Sequence, residues 1–338
     1  MDKQELGRSG LKVAPWAFGG NVFGWTVDDR TGFELLDAFV DHGFNLIDTA
    51  DVYSRWIPGH VGGESETLIG KWLALGGGRR GKVIIATKLG HPMPEGQGLS
   101  GAYMRVAVER SLQRLQTDYI DLYQSHTDDQ AVPLEETLAS YGELIKAGKV
   151  RAIGASNYTA PRLAEALKLA KDKGLPRYET LQPWYNLYDT DVFPAELAEL
   201  CRRESIGVIP YFGLASGFLT GKYRTKEDLV GSPRAYRAGD MLNPRGLRIL
   251  AAMDAVGARI GATPAQIALA WLRAKGCVPI ASATKLDQLK ELAKSAALAL
   301  DPEAVAALDI AAVIGPGEEP VRAPPPNPTP KATTQAAE

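Results

Sequence analysis

The chain has 338 residues, 45% apolar and 23% charged, with a formal net charge of −2, the make-up expected of a soluble globular protein. That charge gives no basic field for nucleic acid, and no apolar run approaches the ~18–20 residues of a membrane span, so neither partner is expected. Cys201 and Cys277 match no zinc or redox spacing. With no basic and apolar leader pattern at the start, a reducing, cytoplasmic setting is expected.

In chain order, Lys3–Val13 carries a Gly7-Arg8-Ser9-Gly10 turn between short apolar stretches and predicts a β-hairpin. Eight apolar, often β-branched runs follow: Trp16–Gly19, Phe44–Ile47, Val83–Ala86, Tyr119–Tyr123, Val150–Ile153, Thr180–Gln182, Ile206–Pro210 and Cys277–Ile280. Between them lie helical patterns. Phe33, Leu36, Phe39 and Val40 share one face, as do Tyr103, Val106, Ala107 and Leu115. Further helices are expected to open near Ser65 and at Ala160-Pro161. Strands alternating with helices predict parallel βαβ units. Eight of them, with no dinucleotide glycine fingerprint after an early strand, favour an α/β fold of the (β/α)8 TIM-barrel type over an open sheet.

Two segments break the alternation. Thr220–Gly246 is polar and glycine-containing and is expected to be a long loop after the seventh strand. From Pro316 to Glu338, seven of 23 residues are proline, which predicts a disordered Pro-rich C-terminal tail. The expected organisation is a barrel over residues 1–315 and a tail over 316–338.

Some motifs fail on inspection. Gly76-Gly77-Gly78-Arg79-Arg80-Gly81-Lys82 resembles a phosphate-binding loop, but Val83 stands where that motif needs a hydroxyl, and a strand follows instead of a helix. It is expected to be a helix-to-strand turn. His42, His60, His91 and His126 lack the i, i+4 pairing of a zinc site, so no metal is expected.

Active sites of α/β barrels lie at the C-terminal ends of the strands. Those ends offer Asp48, Lys88 and His126 after the second, third and fourth strands, with Tyr53 five residues beyond Asp48. Alone, each has an ordinary alternative: a helix cap, a solvated ammonium, a packed ring. Together they suit proton transfer to a carbonyl oxygen. A nearby ammonium lowers the pKa of a phenol, an Asp holds that ammonium charged, and a histidine can hydrogen-bond the oxygen. No Ser or Cys is placed with a base for covalent catalysis. The missing part is a hydride donor, which only a cofactor supplies.

Longer stretches carry a resemblance. They are Gly43-Phe44-Asn45-Leu46-Ile47-Asp48-Thr49-Ala50-Asp51-Val52-Tyr53, Ala86-Thr87-Lys88, the run from Ser111 to His126, Ile153-Gly154-Ala155-Ser156-Asn157, Leu181-Gln182-Pro183-Trp184-Tyr185-Asn186 and Leu219-Thr220-Gly221-Lys222-Tyr223. In this order the chain resembles the aldo-keto reductases over residues 3 to about 312. The resemblance implies a barrel that binds NAD(P)H without a Rossmann domain, and a tetrad of Asp48, Tyr53, Lys88 and His126 with Tyr53 as general acid. It also implies Ser156, Asn157 and Gln182 at the nicotinamide carboxamide and Tyr211 stacked on the ring. Further cofactor contacts fall on Gly20, Asn21, Gly213 and Leu214, with Gly217, Leu219, Gly221 and Lys222 along the pyrophosphate. Gln182 as a strand cap and Tyr211 as core are the alternatives.

One departure bears on the cofactor. Many NADP-dependent members carry an Arg in the loop after the eighth strand and an Asn near position 292. This chain has Ser282, Thr284, Lys285 and Gln288 there, with Leu292 beyond. Lys285 favours NADP(H), because a 2′-phosphate needs a cation. NAD(H) is the alternative. Phe23, Trp25, Trp56 and His91 are expected to line a pocket for a small-molecule carbonyl or alcohol, with Trp184, Arg55 and Asp128 as further options. The main reading is an NADP(H)-dependent oxidoreductase. A cofactor-binding regulatory subunit of the potassium-channel β type and an NAD(H)-preferring alcohol dehydrogenase are the alternatives. No feature of the sequence specifies an oligomer.

Overall fold

The computed structural model describes residues 2–232 and 235–319. A two-stranded antiparallel hairpin, β1 (Gln4–Glu5) and β2 (Lys12–Val13), precedes eight parallel strands. These are β3 (Ala17–Gly19), β4 (Leu46–Asp48), β5 (Ile84–Leu89), β6 (Ile120–Ser125), β7 (Val150–Ser156), β8 (Thr180–Gln182), β9 (Gly207–Val208) and β10 (Ile280–Ala281). Neighbours pair in sequence order, and β10 returns beside β3. Two backbone hydrogen bonds join the remaining edges: Val278 N–H to the Val208 carbonyl at 2.9 Å and Ile280 N–H to the Pro210 carbonyl at 3.0 Å. The result is the (β/α)8 barrel that the eight runs predicted.

Strand alternation sorts the side chains. Ala17, Leu46, Ala86, Leu122 and Ala152 point into the barrel, where Leu6, Leu11 and Val13 of the hairpin meet them. Phe18, Ile47, Ile85, Tyr123, Ile153 and Leu181 point outward into the core shared with the helices. The hairpin therefore closes the N-terminal end, and its turn requires glycine at position 7. A Cβ on Gly7 would lie 2.3 Å from the Glu179 carbonyl oxygen, at a φ of +62°.

Helix Asp29–Asp41 starts on an Asp28 cap, whose carboxylate accepts the Thr31 N–H at 2.9 Å, and buries Leu36 and Phe39 as its pattern implied. Helix Gly101–Leu115 buries Tyr103, Met104, Ala107, Val108 and Leu115. Val106, expected on that face, is exposed, because the buried arc is centred on Met104, Val108 and Ser111, on the other side of the helix, and Tyr103 marks its near edge. Gly76–Gly78 make the expected turn at positive φ, followed by one helical turn, Arg79–Lys82, before β5.

The long segment after β9 is not only loop. It contains a 3-10 turn at Glu227–Leu229 and helix Ala235–Asp240, and helix Pro244–Ile260 opens within it. That last helix starts on the Asn243 side chain, which accepts the Gly246 N–H at 2.9 Å. Asn-Pro is a helix-start pair that the surrounding glycines and prolines obscured. At the C-terminal end, Glu318 forms an ion pair with Arg248 at 2.8 Å and accepts the Gly315 N–H at 2.7 Å. Residues 320–338, most of the predicted tail, lie outside the described residues.

Gly7 and Gly10 separate contact from backbone strain, since both have positive φ but a Cβ on Gly10 meets nothing within 4 Å. In urea unfolding, Gly10→Ala is expected to cost roughly 1–2 kcal/mol from the left-handed backbone alone. Gly7→Ala is expected to cost about 1–3 kcal/mol more through overpacking.

Candidate active site

The C-terminal strand ends bring the tetrad together around one ammonium. Asp48 closes β4 and Lys88 sits near the end of β5, both pointing into the barrel and both buried. The Lys88 ammonium donates to Asp48 Oδ2 at 2.8 Å, to the Thr49 carbonyl at 2.7 Å and to Tyr53 Oη at 3.3 Å. Its three protons are thus fully used. The other Asp48 oxygen accepts from Gln182 Nε2 at 2.7 Å, so the side chain expected at the carboxamide also steadies the tetrad from β8. Burial is the largest single influence on the Lys88 ammonium and disfavours its charge, but the Asp48 carboxylate and the Tyr53 hydroxyl together outweigh it and raise the pKa above the ordinary lysine value.

Tyr53 corrects one expectation. Burial raises its phenol above the ordinary value, and the Lys88 ammonium only partly offsets that effect. The hydroxyl therefore keeps its proton at neutral pH. His126 follows β6, with its ring 5.9 Å from that of Tyr53 and 4.3 Å from that of His91. Burial, then His91 and then Lys88, hold the His126 imidazole well below its usual pKa. The ring is therefore neutral near neutral pH and not a reserve acid, and its Nδ1 has no hydrogen-bond partner among the described residues.

Around the barrel, Ser156 Oγ donates to the Gln182 carbonyl at 2.8 Å. Asn157, at positive φ, donates to the His126 carbonyl at 3.0 Å and accepts from the Tyr211 hydroxyl at 2.8 Å. Tyr211 lies beyond β9, bridged to Trp184 and half-buried. After it, Phe212, Ala215 and Ser216 have φ of +58°, +47° and +57°, and Gly217 has +91°. Leu214, at −105°, stands before three successive positive-φ residues, and the Ala215 and Gly217 N–H groups close tight turns onto the Phe212 and Leu214 carbonyls at 2.7 and 2.8 Å. A Cβ on Gly217 would lie 3.3 Å from Lys222 Nζ, so the missing side chain leaves room for that ammonium beside the loop. Leu219 is buried in the second core and Gly221 caps the turn.

Gly20 lies against the Asp48 carbonyl, where a Cβ would come within 3.0 Å of it. Beside it, the Ser282 hydroxyl is 2.7 Å from the Gly19 carbonyl and 2.8 Å from Asn21 Oδ1. Gly213 backs onto β10. Thr284 bonds Gln288 at 3.0 Å, and Lys285 is exposed at the start of helix Leu286–Lys294. The tight turns from Phe212 to Gly217, a lysine at each end and polar side chains between them fit an extended dinucleotide.

The pocket wall is narrower than expected. Trp25 and Trp56 meet edge to face at 5.9 Å, and Trp56 meets Tyr53 at 5.5 Å. Phe23 is instead fully buried and stacked on Phe18 at 5.2 Å, because its turn points it into the scaffold. Trp184 is buried too, its indole N–H donating to Asp189 at 2.7 Å. Asp128 is bound to Arg162 at 2.9 Å, and Arg55 reaches the Pro92 carbonyl.

Sequence reasoning missed Asp51. It is buried beneath the Tyr53 loop, and neither carboxylate oxygen has a hydrogen-bond partner among the described residues. Glu66 nearby is satisfied by Thr87 at 2.6 Å and Arg114 at 2.7 Å. Burial, then the Glu66 charge, push Asp51 well above the usual carboxylate range, so it holds its proton where an ordinary Asp has lost it. Its only sequence signal was its place between Ala50 and Val52.

Among the described residues, no three His, Cys, Asp or Glu side chains gather to hold a metal ion. No described helix is long and apolar enough to cross a membrane. Comparison with known proteins places this geometry in context. The model of the Aldo/keto reductase family matches residues 15–313. The uncharacterized oxidoreductase YrpG of Bacillus subtilis is 34% identical over 312 residues, covering 90% of this chain and 93% of that protein. Protein tas of Escherichia coli is 34% identical over 337 residues, covering 91% and 97%. A probable voltage-gated potassium channel subunit beta of Arabidopsis thaliana is 32% identical over 305 residues, covering 87% and 91%.

The buried Asp51 gives a pH test. Its folded-state pKa is raised, so the folded chain binds a proton that the unfolded chain releases, and stability falls as pH rises above the unfolded value. Asp51→Asn removes this loss. Thermal melts are expected to show the variant gaining on the wild type from pH 4 upward, ~4 being the ordinary Asp value. Parallel curves at all pH values would remove the buried proton from the account.

Proposed function

The chain belongs to the Aldo/keto reductase family, with relatives named as oxidoreductases, and from that premise we propose that it is an NADP(H)-dependent reductase of aldehydes or ketones, with Tyr53 as the proton donor. The observation that carries this reading is the Lys88 ammonium held by Asp48 and Thr49 with its third proton on the Tyr53 hydroxyl. When bound, the nicotinamide supplies the hydride to the carbonyl carbon. Every other part of the step belongs to this chain. Tyr53 gives its proton to the carbonyl oxygen, and Lys88 stabilises the phenolate that remains. The neutral His126 imidazole, beside Tyr53, donates a second hydrogen bond to that oxygen. Asp48 keeps the ammonium charged.

Ser156, Asn157, Gln182 and Tyr211 would hold the nicotinamide end, and the Phe212–Gly217 segment with Lys222 would hold the pyrophosphate. Lys285 would meet the 2′-phosphate, which is the basis for NADP(H) over NAD(H). Trp25 and Trp56 form an aromatic wall that suits a hydrophobic carbonyl compound and limits water around Tyr53.

Tyr53→Phe is expected to lower carbonyl reduction by about 10²–10⁴-fold, the usual contribution of a positioned acid, while cofactor still quenches tryptophan fluorescence. Near-wild-type turnover would refute the role of Tyr53. Wild-type protein that binds cofactor tightly yet reduces nothing across a broad carbonyl panel would favour the regulatory-subunit reading. Because the phenol is raised, alcohol oxidation, which needs it deprotonated, should accelerate with rising pH while reduction stays flat near neutrality. Lys285→Ala should weaken NADPH more than NADH. Equal losses would assign the cofactor choice elsewhere.

A further inference from the structure

At the opposite end of the barrel from Tyr53 lies a cavity of about 240 Å³. Its wall joins four parts of the chain: the hairpin with Lys3 and Lys12, the glycine-rich loop with Arg80 and Lys82, the entry to β6 with Tyr119, and the entry to β7 with Arg151. The one carboxylate lining it is Asp121. Five cations against one acid stand out in a chain whose formal net charge is −2.

Asp121 does not neutralise them. Its Oδ1 accepts from Arg151 at 2.9 Å, and its Oδ2 accepts from Arg80 at 2.7 Å and from the Ile85 N–H at 2.9 Å. Arg80 is also tied to Thr117, Val83 and Tyr119. The two guanidinium groups lie 3.7 Å and 4.0 Å from the centre of the Tyr119 ring. This stack is built into the scaffold and carries one net positive charge after Asp121 is counted. Lys3, Lys12 and Lys82 add three more, and none of them has an ion pair within 4 Å among the described residues. Lys82 also feels Asp37, but that carboxylate is held by Arg79 at 3.1 and 3.2 Å. Gly81 has open space where a side chain would stand, which leaves the mouth of the cavity clear.

We propose that this cavity is a binding site for a small oligophosphate anion, with the lysines as movable point charges around the fixed Arg80–Tyr119–Arg151 stack. Several like charges around a restricted volume cost self-repulsion unless an anion answers them. An oligophosphate offers enough charge and oxygen acceptors for ammonium groups from three segments. The glycine-rich run that failed as a nucleotide-hydrolase motif thus supplies Arg80, Gly81 and Lys82 to a different phosphate site. Bound there, the anion would tie the hairpin to the entries of β5, β6 and β7 without touching the catalytic end.

The test titrates tripolyphosphate, and separately ATP, into protein already saturated with nicotinamide cofactor, following heat and melting temperature. Saturable 1:1 binding is expected, with a melting temperature that rises with ligand concentration. Lys12→Ser/Lys82→Ser should weaken it by at least about tenfold, or ~1.4 kcal/mol, while the ligand-free melting temperature does not fall, because like-charge repulsion is relieved, and the carbonyl-reduction rate stays unchanged. ATP binding no tighter than tripolyphosphate would assign recognition to the phosphate chain alone, and tighter binding would add the base. Equal affinity in the variant and the wild type, or no saturation, would overturn the proposal. So would loss of binding in Lys222→Ser with retention in the double variant, since the anion would then occupy the cofactor cradle.

Discussion

The Lys88 ammonium is buried and spends all three of its protons on three different parts of the chain. A cation removed from water is costly unless it is paired and fully hydrogen-bonded. That constraint explains why the side chains around it are fixed. Asp48 must close β4 one strand away, the Thr49 carbonyl must turn inward, and the Tyr53 hydroxyl must return to the same point from its loop. Gln182, across the barrel, occupies the second Asp48 oxygen. The barrel satisfies these demands because parallel strands deliver successive C-terminal ends to a single rim.

Burial has two effects at this rim. It strengthens the ion pair, and it also raises the Tyr53 phenol and depresses the His126 imidazole. Both groups are therefore neutral near neutral pH, the states that the proposed roles of proton donor and hydrogen-bond partner require. Asp51 beneath them is held neutral in the same way. The opposite end of the molecule has the reverse character. There Leu6, Leu11 and Val13 seal the interior while an excess of cations remains at the surface of the seal.

Much of this was legible in the sequence. Eight short apolar runs located the strands to within a few residues, and the tetrad could be found because three of its members close successive strands. Legibility failed where the third dimension decides. An aromatic residue in a loop carries no mark of which side it faces, so Phe23 was expected at the pocket but stacks on Phe18. An ammonium beside a phenol is visible in a motif, whereas the depth of burial that outweighs it is not. Arg80 and Asp121 are 41 positions apart, and only the barrel brings them together. Asn243-Pro244 was hidden among residues that usually mark loops.

Whether Lys88 governs the proton on Tyr53 is read most directly from the pH profile of alcohol oxidation in Lys88→Met/Asp48→Asn, which leaves no uncompensated buried charge. Without the ammonium, the phenol should ionise at higher pH, so the rising limb of the profile should move upward from its wild-type position while cofactor binding persists. A limb that stays where it is in the wild type would contradict the claim that this ammonium sets the acidity of Tyr53.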